Sequence, residues 1–203
     1  MDLNFAPVVW PEDRMPLEER DYVECEVCTA RSRVVWGEGN PSAPIVIILD
    51  NPGAREDKEG KEFVCGTRVT LQTSLHQVGL KMDDIYLTYL LKCRPLGRYD
   101  KEKARAFSKP FLARQIKAIQ PQFIVCLGDT VVQNLFADQE AHVKDLRGKW
   151  HYLMGWPAIV SYHPLAVRRR PNLMKHFMAD WAMLAQHFLG PIPLWWIELK
   201  HGF

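Results

Sequence analysis

Four short apolar runs constrain this chain more than any other feature. They are Ile45–Leu49 (IVIIL), Ile85–Leu91 (IYLTYLL), Phe123–Leu127 (FIVCL) and Ala158–Tyr162 (AIVSY). All are of strand length and rich in Val, Ile and Tyr, and three are nearly continuous in apolar residues. That pattern suits parallel strands covered on both faces.

Helical spacing fills the intervals. Thr67–Val78 stops at Gly79, a C-cap candidate. Lys101–Ile119 carries Phe107, Phe111, Leu112 and Ile116 and stops before Pro121; Asp129–Phe136 starts on a capping aspartate. Asn172–Leu189 repeats Leu173, Phe177, Trp181, Leu184 and Phe188. Strands alternating with helices predict an α/β fold. The expected architecture is a doubly wound, central four-stranded parallel sheet flanked by helices, in one domain spanning 1–203. Ligands of such sheets bind at the carboxyl ends of the strands. Function is therefore to be sought just after Leu49, Leu91, Leu127 and Tyr162. The apolar tail Gly190–Phe203 is expected to pack against the body.

Composition narrows the class. With 203 residues, 47% hydrophobic and 25% charged, the chain can bury a sizeable core. A net charge of +2 does not by itself announce a nucleic-acid binder, so the placement of charge matters more. The first twenty residues carry acids and prolines where a secretory signal needs a basic start and an apolar run. No apolar stretch approaches the ~20 residues of a membrane span. The expectation is a cytoplasmic protein, without membrane association and taken as a monomer. Five cysteines, an odd number, fit metal ligation or burial better than a disulfide framework.

Four segments place chemistry at the ligand edge or near it. In LDNPGAREDKEG, Pro52 and Gly53 turn the chain after the first run and leave Asp50 at the edge. Taken alone, this is an ordinary turn with a solvated acidic patch. KCRP puts Cys93 between Lys92 and Arg94 after the second run. SYHPLAVRRRP puts His163 after the last one, beside Arg168, Arg169 and Arg170, which offer phosphate contacts. A lone histidine is usually structural, but His163 opens a basic loop at a strand's carboxyl end. Cys25 and Cys28 form a C-x2-C pair, half a metal site at most.

Together, in order and spacing, these segments resemble the iron–sulfur (family 4) uracil-DNA glycosylases, from about Cys25 to Phe188. The resemblance rests on the C-x2-C pair, on LDNPGAREDKEGKEFVC, on YLTYLLKCRP, on Leu127–Gly128, on Leu146–Gly148 and on YHPLAVRR. It implies a DNA glycosylase that flips a base from the stack and hydrolyses its N-glycosidic bond, with uracil or a related damaged or modified base as substrate. Asp50 and His163 are the implied catalytic pair, one positioning water and favouring the oxocarbenium-like sugar, the other stabilising charge on the departing base. Pro52, Gly53, Phe63 and Tyr89 are the implied substrate-binding positions, with Phe63 stacking on the ring. Leu165, Arg168, Arg169 and Arg170 are the implied DNA contacts, with the basic stretch Lys92–Arg105 as a further one.

The chain departs from the family pattern at several places. Asp50 stands for a glutamate, Tyr89 for the asparagine that reads the uracil edge, and Cys65 and Arg68 for glycines. A tyrosine cannot offer an amide's paired donor and acceptor. Tyr89→Asn is accordingly expected to raise uracil excision. A [4Fe–4S] cluster is implied on Cys25, Cys28 and Cys93, with Ser108 at the place of a fourth cysteine; a complete cluster, a defective one and no metal are all compatible with this set. Cys126, inside a predicted strand, reads as core. The alternative to an active enzyme is a catalytically weakened homologue that binds DNA or a protein.

Overall fold

The apolar runs become neighbours because each must bury two faces. A computed structural model of the chain describes residues 5–29, 33–54, 56–57 and 64–190. Its strands are β1 (Glu12–Asp13), β2 (Gly37–Gly39), β3 (Ile45–Leu49), β4 (Ile85–Tyr89), β5 (Phe123–Leu127), β6 (His151–Leu153) and β7 (Trp156–Ser161). They form one seven-stranded sheet in the order β1-β2-β4-β3-β5-β7-β6. The contiguous set β4-β3-β5-β7 is parallel, and β1, β2 and β6 join antiparallel. The sheet is thus mixed and seven-stranded, rather than four-stranded and parallel throughout. The additional strands have two or three residues each (Glu-Asp, Gly-Glu-Gly, His-Tyr-Leu), too short and too polar to leave an apolar run.

Alternation along the strands sends side chains to opposite faces. Ile45, Ile47 and Leu49 share a core with Leu71 and Leu75 of α2 (Gly66–Gln77) and with Phe177, Trp181 and Leu184 of α7 (Met174–Leu189). Val46 and Ile48 share another with Leu112 and Ile116 of α3 (Lys101–Ile119) and Val131 and Val132 of α4 (Asp129–Leu135). Phe177 and Trp181 meet edge to face at 5.7 Å. Truncating Trp181 to alanine is expected to cost about 3–5 kcal/mol.

Helix boundaries follow local chemistry. Asp100 caps α3, its side chain accepting from the Lys103 N–H at 3.0 Å, and Gln120 ends it in the left-handed conformation. α7 starts two residues later than its periodicity suggests, because Pro171–Leu173 form a 3-10 turn. Two short helices, α1 (Glu26–Thr29) and α5 (Val143–Leu146), complete the connections before β7. The segment after His163 is not a loop. Pro164–Arg169 form α6, with Pro164 at a first-turn position where no amide hydrogen is needed and with His163 as its cap. No helix among the described residues is long and apolar enough to cross a membrane. Phe63 and the tail beyond Gly190 lie outside the described residues.

Candidate functional site

A cleft of about 460 Å³ opens at the carboxyl ends of β3 and β4, walled by α2 and α6. Asp50, Gly53, Tyr89, His163, Leu165, Arg169 and Arg170 all line it. Pro52 is buried in the turn beneath, and Arg168 lies on the neighbouring surface over α2. Residues from three separate segments of the sequence thus share one cleft.

Asp50 leaves β3 directly, and its Oδ1 accepts from the Asn51 backbone N–H at 2.9 Å. His163 caps α6, and its Nδ1 accepts from the Leu165 N–H at 3.0 Å. That bond assigns the tautomer: a neutral His163 carries its proton on Nε2. Nε2 stands 3.6 Å from Asp50 Oδ1. Burial pushes the Asp50 carboxyl up, but the neighbouring His163 and the Asn51 amide outweigh it and hold the group below its ordinary value. The pair offers a carboxylate and an N–H donor to one space.

Two glycines make this geometry possible. Gly128, between β5 and α4, has φ 96°, and a Cβ there would stand 3.2 Å from the Cβ of His163. At Gly66, the first residue of α2, a Cβ would fall 2.0 Å from Arg168 Nη1. The Arg168 guanidinium thus lies against the start of α2.

The floor holds a buried charge network that sequence reasoning did not foresee. Arg68 of α2 grips Glu38 of β2 with both Nε (3.1 Å) and Nη2 (2.8 Å). Nη2 also donates to the Tyr89 hydroxyl at 2.5 Å, and that hydroxyl donates to Glu38 Oε1 at 2.6 Å. Glu56 Oε1 stands 3.6 Å from Arg68 Nη2 and accepts from the Cys65 thiol at 3.1 Å. Burial opposes the charge on Arg68, yet Glu38 and the neighbouring groups raise its pKa well above the ordinary value. Burial likewise raises Glu38 and the Arg68 charge lowers it, with a net fall. Burial lifts the Tyr89 phenol far up, so it stays a neutral hydroxyl.

The cysteines gather elsewhere. Cys25, Cys28 and Cys93 share a buried cluster with Tyr22, Trp36 and Phe111. Cys28 and Cys93 are joined as a disulfide, and Cys25 is a buried free thiol. Ser108 donates to the Leu90 carbonyl and bonds the Tyr22 hydroxyl at 2.7 Å, and Tyr22 accepts from the Lys92 N–H at 2.7 Å. Two of the four expected donors are bonded to each other, and a third is satisfied by protein. The three cysteines expected as ligands do gather in one place, but with Cys28 and Cys93 bonded no [4Fe–4S] ligand set is assembled in this state. Among the described residues, no group of three or more His, Cys, Asp or Glu is placed to hold a metal ion. Cys126 is core, its thiol pushed up to about 12 by burial. Lys92 is fully buried, so the basic stretch expected on DNA does not begin with it.

Comparison with known proteins matches residues 36–185 to the family model described as the Uracil DNA glycosylase superfamily. The chain is 33% identical over 171 residues to a protein named Type-4 uracil-DNA glycosylase from Archaeoglobus fulgidus, covering 80% of this chain and 86% of that protein. A protein of the same name from Thermotoga maritima is 30% identical over 184 residues, covering 88% and 96%. A third, from Saccharolobus solfataricus, is 33% identical over 172 residues, covering 80% of each chain.

Proposed function

Because this chain belongs to the uracil DNA glycosylase superfamily, we propose that it is a DNA glycosylase. It hydrolyses the N-glycosidic bond of uracil or a related base in DNA, the first step of base excision repair. The observation that carries this reading is the Asp50–His163 pair facing one cleft at the sheet's carboxyl edge. The extruded base enters the cleft. His163 donates from Nε2 to the oxygen on which negative charge develops, and water-excluding surroundings strengthen that interaction. The Asp50 carboxylate, held ionised, orients water toward the sugar carbon and offsets its positive charge. Two side chains so disposed support excision over binding without chemistry.

DNA is the partner this reading requires. Arg168, Arg169 and Arg170, exposed around the end of α6, supply phosphate contacts, and Leu165 stands exposed at the cleft mouth. Phe63 as a stacking ring and Pro52 and Gly53 as backbone contacts rest on the family resemblance.

The resemblance also carries a [4Fe–4S] cluster, and no step here is routed through one. A cluster on Cys25, Cys28 and Cys93 requires that the bonded pair be reduced, and anaerobically purified protein that is colourless and free of iron and sulfide would reject it. A full complement of cluster iron would show instead that the bonded pair opens to receive it. The glycosylase reading is tested by incubating the protein with single- and double-stranded oligonucleotides carrying uracil and other lesions, followed by alkaline cleavage at abasic sites. Strand breaks at uracil are expected; an unbroken panel would refute the activity.

A further inference from the structure

We propose that Arg68, paired with Glu56, reads the edge of the base in this cleft and selects a carbonyl next to a ring N–H. The inference rests on the glycosylase reading and adds the residues that set its specificity. Tyr89 occupies the place where an edge-reading amide is expected, but it cannot read. Its hydroxyl proton goes to Glu38, its oxygen accepts from Arg68, and its ring is buried in the core. It is a floor.

Arg68 is placed differently. It lines the cleft while only 5% exposed, and its Nε and Nη2 are fixed by Glu38. Its Nη1 donates to no described residue. Nη1, on a held side chain that lines the open cleft, therefore keeps donors that a ligand acceptor can take. Glu56 lines the same cleft, and its carboxylate stands 3.6 Å from Arg68 Nη2. Only one of its oxygens takes a described partner, the Cys65 thiol. Donor and acceptor side by side match a C=O beside an N–H, as in uracil. The amino group and bare ring nitrogen of cytosine reverse that pattern and leave the guanidinium facing another donor. A site built on hydrogen bonds rejects such a ligand strongly, because its own buried groups are left unpaired. The Glu38 grip fixes the fork before the base arrives, so little ordering is required on binding.

The test separates reading the base from cutting it. Free uracil and free cytosine are titrated calorimetrically against the parent, Arg68→Lys, Glu56→Gln and His163→Ala, alongside excision from a uracil oligonucleotide. Arg68→Lys keeps the charge beside Glu38 but loses the fork, and unchanged thermal melting shows that it folds. Uracil is expected to bind the parent in preference to cytosine, and both cleft variants to weaken uracil by about 10- to 100-fold. His163→Ala is expected to lose excision while still preferring uracil to cytosine. Parent-like uracil affinity in both folded variants would overturn the assignment of Arg68 and Glu56, as would a parent that binds cytosine equally well. If the parent binds uracil through Arg68 but excises nothing, the reader stands and the glycosylase reading falls. If it excises uracil with no dependence on Arg68, the reverse holds.

Discussion

Among the described residues two cations are buried, and they are handled in opposite ways. Arg68, under the cleft, is gripped by the Glu38 carboxylate through two hydrogen bonds. Lys92, beside the cysteine corner, bonds only neutral acceptors: Thr88 Oγ1 at 2.9 Å, Gln115 Oε1 at 2.5 Å and, at 3.4 Å, the Tyr89 carbonyl. Its ammonium also stands 4.5 Å from the centre of the Trp36 ring. Burial pulls the Lys92 pKa down to about 7, while Arg68 is held charged by its partner. Desolvation acts on both, and a carboxylate in contact decides which keeps its proton. The cleft floor thus holds a paired, permanent charge, and the cysteine corner holds a lysine that neutralises.

The largest test of this contrast removes one half of the paired site. Arg68→Met leaves the Glu38 carboxylate buried without its cation, an arrangement expected to cost about 3–5 kcal/mol in denaturant unfolding. Adding Glu38→Gln is expected to recover a substantial part. A single variant as stable as the parent would break the claim that the pair is interdependent. Next in size is His163→Ala, whose excision rate should fall by about 10²–10³ with unfolding little changed, since the imidazole is partly exposed and acts at the cleft. Loss of stability on the same scale would make His163 a structural residue.

For the unpaired cation, the sign of the pH dependence follows from its lowered pKa. Between about 7 and the ordinary 10.5, the unfolded chain binds a proton on Lys92 that the folded chain does not. Stability should therefore rise with pH across that window and level off above it. Lys92→Met is expected to flatten this rise and, near pH 7, to change stability by less than about 1.5 kcal/mol. Thermal melting from pH 6 to 10 reads both. Smallest is the effect of surface charge: Arg169→Glu should weaken binding to all DNA sequences alike and reduce the salt slope by about one or two contacts. A sequence-dependent loss would move Arg169 from phosphate to base.

Tyr89 ties the contrast to the sequence. The expectation that Tyr89→Asn raises uracil excision treated the tyrosine as an intruder in an otherwise empty place. In the fold it is bonded to both Arg68 and Glu38, so an asparagine would meet an ion pair, and no gain is expected. Tyr89 was visible as a departure from pattern, and so was Arg68. Their joint role was not, because Glu38 lies 30 residues before Arg68 and 51 before Tyr89, in a three-residue strand with no apolar signature. The four parallel strands were legible because burial on both faces writes a continuous apolar run. α6 was not, because a six-residue helix ending in arginines shows no face. Asp50 and His163 could be placed from their strand ends alone, whereas the bond between Cys28 and Cys93 depends on tertiary proximity across 65 residues.

Gly128 carries a consequence for how far this sequence can drift. Its backbone lies where L side chains are strained, and its missing Cβ leaves room for His163. A substitution there would meet two penalties at once, and relaxing either moves the imidazole relative to Asp50. In a random library screened for folding, variants at 128 would survive only when rare backbone shifts absorb the strain. Screened for activity, the same survivors would drop out, because the shift that rescues the fold displaces the donor. The position is closed to gradual change, although it touches the chemistry with no side chain of its own.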